Sequence, residues 1–445
     1  MKKGLKVKLI IVLTGSICLL FLLGSIVTQN LPEKSVQKNK NEAAFNEISS
    51  YMLGSAYGSR GMYYKSQNDF LYYLDAMTGE RSIVCTKTNC EHETGKQEGS
   101  LEKTDCEADF NNIESFIPYG NKLYYIPGNP VSENKPWEIW QQDLTGGNQK
   151  KVAEIDDKVN TCISIYSMQC NDLYMVVSFE EIGYYSKKGK YVEYDSFRTK
   201  AGIYIINMND WSFRKVYLTR DERGNIFGKY ARPYISLMSL GSKDVLLYCI
   251  YYDRRFDGKK LNKMPEKKQF NYLNKNVHVM QIRIGLMDGE KKTAVSCDGD
   301  HYFDFSGNWY MEQDYYGNFK AVKFRGDKEN AICLYSSPES GEKEHDSGYR
   351  GIAVTEHSVF YKKYDKKRDV SDWYRYDRKT KTVNNLEKPQ VAVSSDYSTK
   401  DYLYVTVFWS DDDYEPYAIP LKELENGTYR FPEKSEEKEN TGKVE

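Results

Sequence analysis

The sequence lacks the signatures of several common functional classes. Its formal charge is −1, from 63 Lys plus Arg against 64 Asp plus Glu, so no basic excess is present to neutralise phosphate and no nucleic-acid partner is expected. It contains no Gly-x-Ser-x-Gly nucleophile elbow and no His-Glu-x-x-His zinc-peptidase motif. After residue 50 no long stretch has the 3.6-residue apolar period of a helix. These absences leave a β-rich chain without a catalytic signature.

Aromatic strand residues, by contrast, are abundant. The chain has 39 Tyr and six Trp, which favour strands and amphipathic surfaces over helices. The stretch 68–85 predicts a β-hairpin, with an aromatic strand at 70–74, a turn at Thr78-Gly79 and a return strand at 82–85.

Variants of this hairpin recur seven times along the chain. Copies of its first arm are found at residues 62–64, 123–125, 173–175, 246–248, 309–311, 359–361 and 403–405. Each copy follows another short apolar strand, so the unit has four strands and about 55 residues. Because strands such as 70–74 are apolar on both faces, each sheet must be covered on both sides. The sequence therefore predicts an all-β fold, a β-propeller of seven four-stranded blades over residues 46–432, with a two-sheet sandwich array as the alternative. No blade ends in Trp-Asp, so a WD40 propeller is not indicated.

The N-terminal region differs from the rest. Four lysines within the first eight residues precede an uncharged run at 9–27, long enough for a helix of about 28 Å that spans the hydrocarbon core. We predict an uncleaved membrane anchor over 1–30, with a cleaved signal peptide or a lipoprotein lipidated at Cys18 as alternatives. The positive-inside rule then places the remainder outside the cytoplasm. Residues 31–45 are predicted to be a polar tether, and 433–445 a disordered charged tail.

One segment combines metal-ligating residue types. Cys85, Cys90, His92 and Cys106 lie within 22 residues, and three thiols with one imidazole can supply a closed Cys3His site for one structural zinc ion. The spacing is not that of a standard zinc finger, so a disulfide among these cysteines with one free thiol remains the alternative. The cysteines within apolar strands are predicted to be buried thiols: Cys249 and Cys333.

Two patterns in this region resemble a known family. Tyr-Tyr-x-Asp-x-x-Thr-Gly at 72–79, followed by the cysteine segment at 85–92 and Cys-x-Ala-x-Phe at 106–110, is similar to uncharacterised bacterial cell-surface β-propellers that are membrane-anchored or lipoproteins. The resemblance covers roughly residues 60–125. It implies a propeller outside the cytoplasm, held at the bacterial cell membrane as a single-pass protein, and it implies no activity.

The long insertions point to one face of the predicted ring. In an up-and-down blade, the loop between strands two and three and the connector to the next blade open on the same face. The insertions at 127–136, 180–200, 253–276 and 85–111 all belong to these two classes, which marks that face as the binding face. Aromatic and arginine side chains of two of these loops are the candidate contacts: Tyr184, Tyr185, Tyr191, Tyr194, Arg254, Arg255 and Phe256.

Two functional classes follow from these patterns. The favoured one is a non-enzymatic module that binds a surface protein, peptide or polysaccharide, because no catalytic signature stands out. The alternative is a glycan-active hydrolase or lyase, which needs two carboxylates across a cleft. A purely structural envelope protein is the third possibility.

Overall fold

The structure is a computed structural model with side chains. It describes residues 48–50, 55–58, 60–66, 69–92, 105–111, 113–127, 136–156, 161–185, 191–193, 200–218, 234–252, 260, 263–265, 268, 272, 277–298, 302–306, 309–313, 319–323, 332–337, 349–365, 370–386, 392–410 and 413–431. The predicted membrane anchor, tether and charged tail lie outside these residues. None of the described helices is long and apolar enough to cross a membrane.

The described strands form seven antiparallel sheets, numbered here in chain order. Sheet 1 contains β1 (Ile48–Ser50), β2 (Ser55–Tyr57), β3 (Gly61–Lys65), β4 (Leu71–Asp75) and β5 (Arg81–Ile83). Sheet 2 contains β6 (Ile113–Tyr119), β7 (Lys122–Pro127), β8 (Trp137–Asp143) and β9 (Lys150–Ile155). Sheet 3 contains β10 (Thr161–Cys170), β11 (Tyr174–Tyr185), β12 (Tyr191–Glu193), β13 (Lys200–Asn207) and β14 (Phe213–Tyr217).

The C-terminal half continues the pattern. Sheet 4 contains β15 (Tyr234–Leu240), β16 (Asp244–Tyr252), β17 (Val277–Gly285) and β18 (Lys291–Asp298). Sheet 5 contains β19 (Tyr302–Ser306), β20 (Trp309–Gln313), β21 (Phe319–Lys323) and β22 (Ile332–Ser336). Sheet 6 contains β23 (Tyr349–Val354), β24 (Ser358–Asp365), β25 (Val370–Asp377) and β26 (Val383–Asn385). Sheet 7 contains β27 (Ala392–Ser398), β28 (Tyr402–Ser410) and β29 (Asp413–Pro420), and helix α1 (Leu421–Asn426) follows it.

The β-propeller prediction is confirmed, but the prediction of seven four-stranded blades is wrong. Six sheets have the four or more strands of a blade, whereas sheet 7 has three. The chain after β29 forms α1 instead of a fourth strand, because Leu421 and Leu424 are spaced to bury one helix face and Gly427 ends the helix at a positive φ of 68°. Pro416 and Pro420 in β29 also have no N–H to donate to a further strand.

One hydrogen bond recurs in five sheets and defines a face of the ring. Strands are counted here from β2 in sheet 1 and without β12 in sheet 3. The N–H of the residue that follows the third strand donates to a carbonyl in the turn between the first and second strands, over 2.8 Å each time. The pairs are Ala76–Arg60, Met208–Leu173, Leu286–Lys243, Arg378–His357 and Leu421–Asp401. The turns between first and second strands and the starts of the turns between third and fourth strands therefore lie on one side of the ring, called here the turn face.

The opposite side, called here the loop face, carries the loops between second and third strands and the connectors between sheets. In sheet 1 these two classes meet directly: Leu71 N–H donates to Ala108 O over 2.8 Å, and Phe110 N–H donates to Asp69 O over 2.9 Å. This pairing confirms the expectation that both open on one face. The described strands that flank the predicted insertions end on the loop face, and most residues of the insertions lie outside the described part of the chain.

Neighbouring sheets pack through buried apolar side chains, and their first strands lie closest to the axis. The first strands β6 and β10, β10 and β15, and β23 and β27 contact one another. The largest apolar clusters lie between sheets 3 and 4 and between sheets 2 and 3. Each sheet thus buries both faces against its neighbours, as the apolar strands require.

Candidate metal centre

Four metal-ligating side chains that are distant in sequence converge beside sheet 1. The ligand atoms of Cys85, Cys90, His92 and Cys106 all lie within 4.8 Å of one another. Cys106 is buried, and the other three are half-buried. The residues predicted to form a Cys3His site are therefore brought together by the fold.

One sulfur–nitrogen distance within this cluster equals the distance between two ligands of a tetrahedral zinc ion. Cys106 Sγ lies 3.6 Å from His92 Nδ1. Zinc–sulfur bonds of about 2.3 Å and zinc–nitrogen bonds of about 2.0–2.1 Å at tetrahedral angles place sulfur and nitrogen about 3.6 Å apart. The cluster thus has the size and donor set of a tetrahedral site supplied wholly by protein.

Local turns present the thiols to this point. Cys85 directly follows Val84, whose N–H bonds to Leu71 O over 3.0 Å and extends the pairing of β5 with β4. Cys90 ends a turn in which its N–H approaches Lys87 O over 3.4 Å. The backbone of Asn89 is left-handed there, with a φ of 61°, a conformation that asparagine tolerates better than most residues.

Cys106 begins a second turn, closed by the N–H of Asp109 on Cys106 O over 3.2 Å. Asp109 forms an isolated bridge with Phe70. The ring of Phe70 in turn contacts the His92 imidazole edge-on, with centroids 6.3 Å apart. The loop between β3 and β4 therefore supports both the buried thiol and the imidazole.

Two polar cross-links beside the cluster join its two halves. Glu107 Oε2 accepts from the Thr86 N–H over 2.7 Å and from the Thr86 hydroxyl over 2.8 Å. Lys87 Nζ forms an ion pair with Asp105 Oδ1 over 3.0 Å. Thr86 and Glu107 follow Cys85 and Cys106 directly, so these bonds help to hold the two thiols near each other.

Sheet 2 also reaches the cluster, through its β8–β9 turn. A Cβ on Gly146 would lie 2.8 Å from Val84 O and 3.0 Å from Cys85 Cα, and its φ is 100°. Only glycine fits such an approach without a shift of backbone. Gln149 Nε2 donates to Glu107 O over 3.1 Å. The cluster thus lies at the junction of sheets 1 and 2 and contacts both.

The protonation of the buried thiol depends on whether a cation is bound. Burial raises the pKa of the Cys106 thiol above its ordinary value, and a hydrogen bond with Cys90 adds to the shift. A bound cation reverses this preference because it stabilises thiolates. Four protein ligands fill a tetrahedral shell, which is the arrangement of structural zinc sites, whereas catalytic sites keep one position open.

The structure also bears on the other cysteine predictions. Among the described residues no disulfide joins Cys85, Cys90 and Cys106, and the three thiols lie close enough to share a metal. Cys249 is buried within β16, as predicted. Cys333 in β22 is exposed, so the prediction that it is buried is wrong; its strand is the outer edge of sheet 5, where apolar sequence does not ensure burial.

The residues predicted to bind a partner are described only in part. Tyr184 and Tyr185 end β11, and Tyr191 begins β12. Tyr184 is 38% exposed. Tyr194, Arg254, Arg255 and Phe256 lie outside the described residues, so partner contact through these two loops stays a prediction.

Sequence reasoning missed the supporting residues. Nothing in the local pattern connects Glu107 with Thr86 or Gly146 with Cys85, because these contacts depend on how the connector folds back and on the docking of the next sheet. The Gly146-Gly147 pair predicts a turn, but the sequence does not show that this turn packs against Cys85.

Comparison with known proteins adds similarities of fold at low identity. No family model matches the chain, and no curated protein matches it. Dipeptidyl peptidase 4 from Porphyromonas gingivalis is similar over 84% of this chain and 59% of that chain, at 11% identity and a TM-score of 0.42. The chain thus spans less than two thirds of that peptidase.

Two other solved structures are comparably distant. The β-propeller domain of the Trilobed protease from Pyrococcus furiosus matches over 82% of this chain and 88% of that chain, at 11% identity and a TM-score of 0.42. BamB from Moraxella catarrhalis matches over 82% of each chain, at 10% identity and a TM-score of 0.33. These values carry no information about ligands or activity.

Proposed function

We propose that the protein is a membrane-anchored β-propeller outside the cytoplasm that binds a surface protein, peptide or glycan with its loop face. The Cys3His cluster holds one structural zinc ion that fixes the cysteine segment to that face. The membrane anchor is the N-terminal segment 1–30, whose lysines and uncharged run support this placement.

The observation that carries the binding role is an outgrowth of sheet 3 on the loop face. Strand β11 pairs with β13 only as far as Glu181, and residues 183–185 pair instead with β12. The start of β10 pairs with the same end of β11, since Thr161 lies opposite Tyr184. Three strands thus extend past the body of the blade and present the partly exposed ring of Tyr184. Exposed aromatic side chains on a rigid support are typical of binding sites.

The cluster supports a structural role for its metal. All four ligands come from the protein, and the short cross-links between Thr86 and Glu107 already hold the segment in place. A closed shell leaves no coordination position for a substrate. The zinc therefore serves the shape of the loop face and not a reaction.

Capture of the partner tests the proposed function. Full-length protein in phospholipid nanodiscs is immobilised and exposed to envelope extract and to a glycan array, beside the variant Tyr184→Ala. We expect a specific partner whose capture by Tyr184→Ala falls severalfold, because the outgrowth loses its exposed ring.

The matched control is Met77→Ala, which removes an exposed side chain from the turn face and should leave capture unchanged. Equal capture by Tyr184→Ala and the unaltered protein would remove the outgrowth from the binding site. Cleavage of a captured glycan would favour the hydrolase or lyase alternative.

A further inference from the structure

The path of the first strand shows where the chain enters the ring. Strand β1 pairs antiparallel with β2, and Ile48 lies opposite Tyr57. Tyr57 leads into the turn at Gly58 and Arg60, and Arg60 O accepts the hydrogen bond that defines the turn face. Ile48 therefore lies at the turn face, and the chain runs from there toward the loop face before it turns back into β2.

The same strand lies near the axis. It forms the inner edge of sheet 1 and contacts β10 and β6, the first strands of sheets 3 and 2. First strands are the ones that surround the axis. The described chain thus begins at Ile48, close to the centre of the turn face and not at its rim.

The turn face also carries the most exposed large apolar side chains of the described residues. Met77 is 81% exposed and Met287 is 78% exposed. Each directly follows a residue, Ala76 or Leu286, whose N–H donates one of the hydrogen bonds that define the turn face. Leu173, which supplies the acceptor carbonyl in sheet 3, is 49% exposed. They come from three different sheets, so apolar groups are spread around this face.

We propose that the turn face lies against the lipid bilayer that holds the N-terminal segment, and that the loop face points away from the membrane. This orientation rests on the proposed membrane anchor. Met77, Leu173 and Met287 then contact the lipid interface, where apolar side chains are more stable than in water.

The length of the tether favours this orientation over the inverted one. Residues 28–47 separate the uncharged run from β1, and a polar tether of 20 residues, as the sequence predicts there, has a root-mean-square span of about 25 Å. A tether that starts at the centre of the turn face reaches a bilayer below that face directly. For the loop face to meet the bilayer, the same tether would have to cross half of the turn face and pass around the rim in an extended state, which costs conformational entropy.

Photocrosslinking in vesicles tests the orientation. Full-length protein is reconstituted into vesicles of phosphatidylethanolamine and phosphatidylglycerol, with p-benzoylphenylalanine in place of Met77, Leu173, Met287 or Tyr184, one position at a time. Flotation of the vesicles measures anchoring, and mass spectrometry after irradiation measures lipid adducts. We expect every variant to float, and lipid adducts at positions 77, 173 and 287 severalfold above those at position 184, which lies on the loop face.

The two readouts separate the two proposals. If the protein floats but position 184 gives as many lipid adducts as the other three, or if none of the four does, the orientation is overturned while the anchor stands. If the full-length protein does not float, the anchor fails, and the orientation is overturned with it.

Discussion

The first sheet is joined to its two neighbours by different chemistry. Toward sheet 2, an apolar cluster that includes Val84, Phe110 and Phe116 packs beside loops that carry three thiols, one imidazole and the Glu107 carboxylate, with a glycine turn of the next sheet against them. Toward sheet 7, the junction closes the ring, and no strand is shared between the two sheets. It is held by side chains from strands that are more than three hundred residues apart in sequence.

The closure junction centres on Arg81. Its guanidinium forms an ion pair with Glu415 over 3.0 Å, donates to Pro416 O over 3.0 Å and lies 4.6 Å above the ring of Tyr417. Tyr404 adds a hydrogen bond to Gly58 O over 2.9 Å. The side chains of Arg81 and Glu415 are only 15% and 12% exposed, so little solvent reaches either charge and each helps to stabilise the other.

The contrast shows two ways to join blades. The closure junction is made of side chains on strands. Removal of one of its charges should lower the stability of the ring. The cysteine junction adds polar cross-links and the proposed metal to an apolar cluster of the two sheets. The first should therefore control the stability of the ring, and the second the metal content and the local order of the loop face.

The largest expected effect is complete loss of zinc from the cysteine junction. Cys106→Ser replaces the buried thiol ligand, and a three-ligand shell with a hydroxyl does not retain structural zinc. Elemental analysis should find one zinc per chain in the unaltered protein and none in the variant. Cys333→Ser, which changes an exposed thiol of sheet 5, should keep the metal. Absence of zinc in the unaltered protein, with two of the cluster thiols resistant to alkylation, would establish the disulfide alternative.

Arg81→Ala should have the largest effect on the ring itself. It removes the cation that faces the largely buried Glu415 carboxylate, so the free energy of unfolding should fall by about 3–5 kcal/mol. Denaturant unfolding measures the change. Lys292→Ala removes an exposed ion pair with Glu290 and should leave unfolding unchanged, because such pairs contribute little. Similar values for the two variants would show that Arg81 does not hold the closure.

Gly146→Ala tests how tightly sheet 2 docks on the cluster. The positive φ and the approach to Val84 O should together lower the free energy of unfolding by about 1–3 kcal/mol. Gly79→Ala is the matched control, because Gly79 also has a positive φ but a Cβ there meets no atom within 4 Å. The difference between the two variants isolates the steric part; no difference would mean that the turn can move away from Cys85.

Tyr404→Phe should have the smallest effect of the four. It removes one hydrogen bond to Gly58 O while keeping the ring that packs 5.5 Å from Tyr57, so the free energy of unfolding should fall by about 1 kcal/mol. Thermal unfolding of the variant beside Arg81→Ala ranks the two contributions. A loss as large as that of Arg81→Ala would place the centre of the closure at Tyr404.

Much of the fold could be predicted from the sequence because its determinants are local. The aromatic arms and turn residues that recur along the chain correspond to strands such as β7, β16 and β24, each paired with its neighbour in sequence. The last unit shows the limit of this reasoning: its arms look like those of the other units, yet the segment after Pro420 forms a helix. Whether a fourth strand follows depends on what covers the sheet, which the repeat does not specify.

The sequence by itself determined the period-two strands, the turns between them and the four ligand residues, since each depends on residue type over a short span. Only the tertiary structure decided which strands end up as neighbours around the axis. It brought Cys106 to Cys85 through Glu107, set Gly146 against them, and closed the ring through Arg81 and Glu415. It also placed β1 beside the axis with Ile48 on the turn face. These contacts join residues far apart in the chain, and they form because each sheet can bury its apolar faces only against another sheet.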